Sequence, residues 1–152
     1  MVLSIKRLNA EHIALLYGIE TRAHKIPWSQ SLLESSLNDK FGHTLGLYLD
    51  NQLIGFCVNQ ILFEEANLLN ICIDPAYQGN GFGVSFMAQL KQYYLANKVE
   101  KVFLEVRASN HRAIKLYQKM GFEAMGLRKN YYKTLGQTKE DAQIMMWELN
   151  HD

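Results

Sequence analysis

Three glycines at alternate positions stand out in Gln78-Gly79-Asn80-Gly81-Phe82-Gly83, just after a short apolar run, Leu68 to Ile73, that ends at Asp74-Pro75. The run reads as a buried strand, and proline ends it because it has no N–H to give to a sheet ladder. Backbone without Cβ atoms can turn sharply and bring its N–H groups close to a ligand, while the helix that follows adds its positive N-terminal end. Phosphate is the natural guest, and a plain surface turn is the alternative. A P-loop is excluded, because Gly83 is followed by Val84 and Ser85 where that motif needs Lys and Ser/Thr. The dinucleotide fingerprint is excluded too, since Gly81 and Gly83 are too close together and Asp74-Pro75-Ala76-Tyr77 separates the loop from its strand.

Two further residues could move protons. Glu105 stands in an apolar strand-like run, Val102 to Val106, where partial desolvation makes a carboxylate a better proton acceptor. Its alternative reading is a pleat carboxylate paired with Arg107, two residues on and on the same strand face. Tyr117 offers a phenol on the inward side of a helix opened by Asn110, as a proton donor or simply as core. The five histidines, His12, His24, His43, His111 and His151, are scattered without a His-x-x-x-His or carboxylate pairing, so no metal site is expected. Cys57 and Cys72 lie in apolar runs and read as packing rather than as a disulfide or zinc site.

The elements that must position these groups follow from periodicity. Leu3 to Leu8 reads as a strand, and Asn9 as the N-cap of a helix carrying Ile13, Leu16, Tyr17 and Ile19-Glu20 that fades before Pro27. Ser29 caps a second short helix through Leu32-Leu33. Thr44 to Leu49 and Leu53 to Leu62 form a hairpin turning at Asp50-Asn51-Gln52, and Phe63 to Ala66 connects onward to the strand at Leu68. From Gly83, Phe86, Met87, Leu90, Tyr93 and Tyr94 make one apolar helix face that ends near Asn97-Lys98. The helix from Asn110 turns Ala113, Leu116, Tyr117 and Met120 inward and stops at Gly121. Ala142 to Leu149 reads as a closing strand in which Met145 and Met146 are core. This order predicts an α+β or mixed α/β architecture.

Composition sets the frame. A chain of 152 residues suits one domain over 1–152. Sixteen Lys+Arg against fifteen Asp+Glu leave no electrostatic footprint for broad nucleic-acid or membrane binding. Neither a signal peptide nor an apolar span is visible, so a soluble cytoplasmic protein is expected.

The loop matches the pattern Gln/Arg-x-x-Gly-x-Gly/Ala and resembles the pyrophosphate loop of the GNAT superfamily of N-acetyltransferases. Downstream, Leu104-Glu105-Val106-Arg107-Ala108-Ser109-Asn110, Ala113-Ile114-Lys115-Leu116-Tyr117 and Met120-Gly121-Phe122 look like the second half of that family's core. With Ile26-Pro27-Trp28 and Arg128-Lys129-Asn130-Tyr131-Tyr132, the chain resembles, nearly end to end, the RimI-type members that acetylate the N-terminal alanine of a small-subunit ribosomal protein.

The resemblance implies a single domain built on a central, mostly antiparallel sheet with a splayed strand pair, flanked by helices, with acetyl-coenzyme A as cosubstrate. It implies Glu105 as general base and Tyr117 as general acid. Cofactor binding falls to Ile71, Cys72 and Ile73 on the splayed edge, to Gln78, Gly79, Asn80, Gly81, Phe82, Gly83 and Val84 in the loop, and to Asn110. Trp28, Tyr131 and Tyr132 are implied as the walls of a peptide site. Val84 departs from the family, many of whose members carry Arg or Lys there. A lysine or small-amine acetyltransferase, or a non-catalytic acyl-coenzyme A-binding module, are the alternatives, and retention of both Glu105 and Tyr117 argues against the last.

Overall fold

A computed structural model describes residues 1–149; His151 lies outside them. β1 (Leu3–Arg7) leads through a 3₁₀ turn at Ala10–His12 into α1 (Ile13–Ala23), α2 (Gln30–Leu37), β2 (Gly42–Leu49), β3 (Gln52–Leu62) and β4 (Glu65–Ile73). A second 3₁₀ turn at Pro75–Tyr77 precedes α3 (Phe82–Ala96), β5 (Lys101–Arg107), α4 (His111–Met120), β6 (Glu123–Lys133) and β7 (Lys139–Glu148). The strands form one sheet in the order β1-β2-β3-β4-β5-β7-β6, antiparallel except where β4 lies beside β5.

The expected caps are made. The Asn9 side chain accepts from the Glu11 N–H at 2.9 Å, Ser29 Oγ from the Leu32 N–H at 3.1 Å, and Asn110 Oδ1 from the Ala113 N–H at 3.2 Å. Each occupies an otherwise orphaned donor at a helix start. Gly121 ends α4 with φ 118°, a conformation that side chains disfavour.

The sheet is covered on both faces. On one, Phe86, Met87, Leu90 and Tyr94 of α3 and Tyr117 of α4 pack with Leu45, Leu47, Ile54, Leu68 and Leu104. On the other, Leu16 and Ile19 of α1 and Leu33 of α2 pack with Phe56, Val58 and Cys72.

One feature of the ladder shapes the site. β4 pairs with β5 only from Glu65–Lys101 to Leu68–Leu104, after which β4 stays with β3 and β5 with β7. The parting starts at a register shift in which Val58 faces Asn70 and Asn59 faces Leu68, so Leu69 is extra. Such a bulge adds local twist and turns the strand away from its neighbour. The splayed pair expected from the resemblance is therefore present.

Several sequence expectations are corrected. Glu65-Ala66 belong to β4, and the connection is only Phe63-Glu64, Phe63 taking φ 56°. Tyr17 faces out, while Tyr93 is only partly buried. Asn130-Tyr131-Tyr132 lies in β6, a strand the sequence did not suggest. Almost every residue of β6 is exposed, so it lacks the apolar alternation that marks a half-buried strand.

Gly55 of β3 fixes how closely β3 and β4 approach. A Cβ there would stand 2.7 Å from the Cys72 carbonyl oxygen, a backbone atom of the strand that opens the site. Gly55→Ala is expected to lower stability by about 1–3 kcal/mol, the usual cost of overpacking, as read from urea unfolding midpoints. Wild-type stability would mean that β4 moves freely.

Candidate active site

The parted strands open a cleft of about 470 Å³. Ile71, Cys72 and Ile73 of β4 form one wall, and Asn110, Ala113, Leu116 and Tyr117 another. Gln78, Gly79, Gly81, Phe82, Gly83 and Val84 form the floor as the chain enters α3. The expected cofactor residues thus meet in one place, except Asn80, whose side-chain amide donates to the Tyr77 and Gln78 carbonyls at 3.2 Å and shapes the loop instead. Gln78 Nε2 donates to the Ile73 carbonyl at 2.8 Å and ties the loop to the end of β4.

Gly79 and Gly81 adopt φ 81° and 79°, and a Cβ at either would meet no protein atom within 4 Å. The loop is therefore bent by left-handed residues and faces open space, as a backbone cradle for an anion requires. Gly81 is the N-cap of α3 and brings no side chain to cap it, so first-turn N–H groups remain for a ligand. Arg112 also lines the cleft, a cation the sequence reading missed. Its signal was position: it opens the helix that Asn110 caps, and it supplies charge that Val84 does not.

Tyr117 is buried, and among the described residues its hydroxyl has no protein hydrogen-bond partner. Burial first, then the neighbouring Tyr132 and Cys72, raise its pKa well above that of a free phenol, so it enters any reaction protonated, as a donor.

Glu105 lies on the opposite face of β5 from Leu104 and Val106, which point into the core beside Tyr117. Its expected partner Arg107 is engaged elsewhere, with Glu140 at 2.9 Å and the Lys133 carbonyl at 2.7 Å. Glu105 Oε1 instead meets Arg128 Nε of β6 at 3.3 Å, while Oε2 is buried with no hydrogen-bond partner among the described residues.

Tyr131 and Tyr132 pack edge to face beside it, with ring centroids 4.9 Å apart. Tyr132 donates to the Glu105 carbonyl at 3.0 Å, and burial with the nearby Glu105 charge pushes its pKa up to about 12. A bulge around Asn130, at φ 53°, throws this segment off the β7 register. Trp28 is not brought to these tyrosines. It packs against the core under α1 and α2 and lines a separate groove with Leu32, Val58 and Leu69.

A second cluster sits at the cleft. Glu20 of α1 is fully buried and accepts from His24 Nδ1 at 2.8 Å, the Trp28 N–H at 2.9 Å and Asn70 Nδ2 at 2.8 Å. His24 therefore does pair with a carboxylate, which corrects the sequence reading; the i, i+4 spacing of Glu20 and His24 was the available signal. His24 and Cys72 both reach the cleft, where burial raises the Cys72 thiol pKa well above its usual value.

A profile of the acetyltransferase (GNAT) family matches residues 13–122. The chain belongs to this family. It is 38% identical over 93% of its length, and 95% of the relative's, to a ribosomal protein bS18-alanine N-acetyltransferase of Haemophilus influenzae. The crystal structure of the ribosomal-protein-S18-alanine N-acetyltransferase from Escherichia coli superposes with a TM-score of 0.90 at 34% identity, covering 98% of this chain and 95% of that one. A GNAT family acetyltransferase from Elizabethkingia anophelis with acetyl-CoA bound shares the fold, with a TM-score of 0.80 at 22% identity over 97% and 98% of the two chains. The α+β sheet with its splayed pair is thus the GNAT fold. The family match ends at Phe122, so Tyr131, Tyr132 and Arg128 lie in the part of this acyltransferase beyond it.

Glu20 is a structural anchor of this GNAT domain with a testable pH signature. Burial alone would raise its pKa, but the donors from His24, Trp28 and Asn70 and the His24 charge outweigh this and hold it below the ordinary 4.5. A depressed carboxylate contributes stability in full above its unfolded pKa and loses it as pH falls through the folded value. Glu20→Gln keeps one acceptor oxygen and sets an NH₂ against the remaining donors. It should cost about 1–3 kcal/mol at neutral pH, the deficit shrinking below pH 4.5 as wild type protonates, in paired denaturant titrations. A pH-independent difference would contradict the assignment.

Proposed function

We propose that this protein is an acetyl-coenzyme A-dependent N-acetyltransferase acting on a protein N-terminus, with the N-terminal alanine of ribosomal protein bS18 as its acceptor. The observation that carries the reading is the pairing of two half-sites across the parted strands. The glycine cradle, the free edge of β4 and Tyr117 lie on one side, and Glu105 with Tyr131 and Tyr132 on the other. The names of the relatives, which match over nearly the whole length, agree with it.

The residues fit the cosubstrate. Open space at Gly79 and Gly81 admits a pyrophosphate to the loop's N–H groups, Arg112 adds charge, and the β4 edge from Ile71 to Ile73, unpaired on its β5 side, can take an extended pantetheine as an added strand. Acetyl-coenzyme A supplies the activated thioester. Backbone N–H groups of β4 stabilise negative charge developing on the acetyl oxygen. Glu105 takes a proton from the attacking amine, because an α-ammonium with pKa about 7.7–8.0 is mostly unreactive at pH 7. Tyr117 gives its proton to the departing thiolate. Tyr131 and Tyr132 hold the first peptide residues with rigid aromatic area.

Two measurements test this. An alanine-initiated bS18 peptide should be acetylated far faster than the same peptide with a blocked N-terminus and a free lysine; the reverse order would replace the acceptor with a lysine or small amine. Glu105→Gln and Tyr117→Phe should each lower kcat by about 10²–10⁴-fold without weakening acetyl-coenzyme A binding. Near-normal turnover in both would reassign the chemistry to proximity alone.

A further inference from the structure

We propose that His24 is a second proton acceptor of the reaction, with Glu20 as its positioning residue, and that it carries the net proton from the cleft to water. The inference deepens the function proposed above and rests on it for the identity of the reaction.

Proton balance creates the need. An α-ammonium that becomes an amide gives up two protons in all: one before its nitrogen attacks the thioester carbon and one as the new C–N bond replaces C–S. One of the two is recovered in the thiol, so Tyr117 can donate to sulfur and be restored. The other must leave the enzyme. Tyr117 is buried, and Glu105 has Oε2 buried and its other oxygen held by Arg128, so an acceptor that faces both the cleft and water would give this proton a direct exit.

His24 has the required placement. It lines the cleft beside Ile71, Cys72, Ile73 and Tyr117, where the β4 edge and the phenol converge, yet its side chain is 35% exposed and so touches both cleft and water. Glu20 is fully buried and bonded to His24 Nδ1 at 2.8 Å. A carboxylate on one ring nitrogen fixes the proton there and leaves Nε2 as a bare acceptor. The Glu20 oxygens are already filled by three donors, which fits a carboxylate that orients rather than one that reacts. The charged and titratable groups that line the cleft with His24 are Cys72 on β4 and Arg112 and Tyr117 on α4, and Glu20 of α1 lies behind it. Of these only Glu20 bonds the imidazole.

His24→Gln separates this role from a structural one, because the glutamine amide can still donate to Glu20 but cannot accept a proton. The variant is compared with wild type on whichever amine wild type acetylates, so failure of the alanine peptide overturns the acceptor assignment without touching this comparison. Expected is a fall in kcat of about 10²-fold, the low end for a positioned base, with acetyl-coenzyme A affinity unchanged by calorimetry. A wild-type kcat and pH profile would overturn the proposal. Independently of activity, long-range proton–nitrogen NMR of labelled histidine should show His24 protonated at Nδ1 and bare at Nε2 in the neutral ring, a pattern lost in Glu20→Gln. A neutral ring carrying its proton on Nε2 would overturn it equally.

Discussion

Everything in this molecule that bears on chemistry depends on β4 and β5 letting go of each other after Leu68 and Leu104. Leaving strand edges unpaired costs about 1 kcal/mol per lost hydrogen bond, so the parting must be built in rather than tolerated. Three features build it. The extra residue Leu69 twists β4 away, β3 and β7 hold the outer edges of the two strands, and the core beneath them continues from Leu47 and Leu68 through Phe86 to Leu104 and Met145. The sheet is therefore continuous in its packing where it is interrupted in its hydrogen bonding. A ligand that adds its own amides to β4 restores the missing ladder, which is why the empty edge is a binding site and not simply a defect.

The parting also changes the relation between groups on the two faces of the sheet. Glu105 and Tyr117 belong to different sides, and in an unbroken sheet the backbone would separate them. At the fork β5 leaves β4 just before Glu105, while Tyr117 lines the cleft between the two strands. Burial keeps Tyr117 protonated, whereas Glu105 is held by Arg128, a side chain 54% exposed. A pair so open to solvent is worth about 0–1 kcal/mol, little enough for the guanidinium to be displaced from the carboxylate. Arg128 also stacks over Tyr131, 5.1 Å from its ring centre, so such a displacement would free an aromatic face at the same moment.

How far the sequence disclosed this follows from which signals are local. The glycine loop, the Asn9, Ser29 and Asn110 caps and the α3 stripe from Phe86 to Tyr94 were legible because each depends on residues within a few positions of one another. The cofactor half of the site followed, since one loop and one strand contribute most of it. β6 was not legible, because an edge strand exposed on both faces has no apolar period, and its only partner is β7. With it went the true partner of Glu105: Arg107 was nearer in sequence, but Arg128 comes across from β6, and only the register reveals that. Arg112 was overlooked for a different reason, as a cation at a helix start says nothing until the helix is seen to border a cleft.

Glu20 is the instructive miss, since its signal was present. A carboxylate on the apolar face of a helix, with a histidine four residues later and a proline bend beyond, contradicts a simple amphipathic reading of α1. Such a conflict usually marks a functional or strained site. Physically, one buried charge joins three elements. It holds the ring at the C-terminal end of α1, the Trp28 N–H at the start of α2 and the Asn70 amide just past the Leu69 bulge. The bend over the cleft and the splayed strand beneath it are thus pinned to the same carboxylate. Substituting an apolar residue there would leave three donors unanswered in the core, and it would release together the end of α1 and the β4 wall of the cleft.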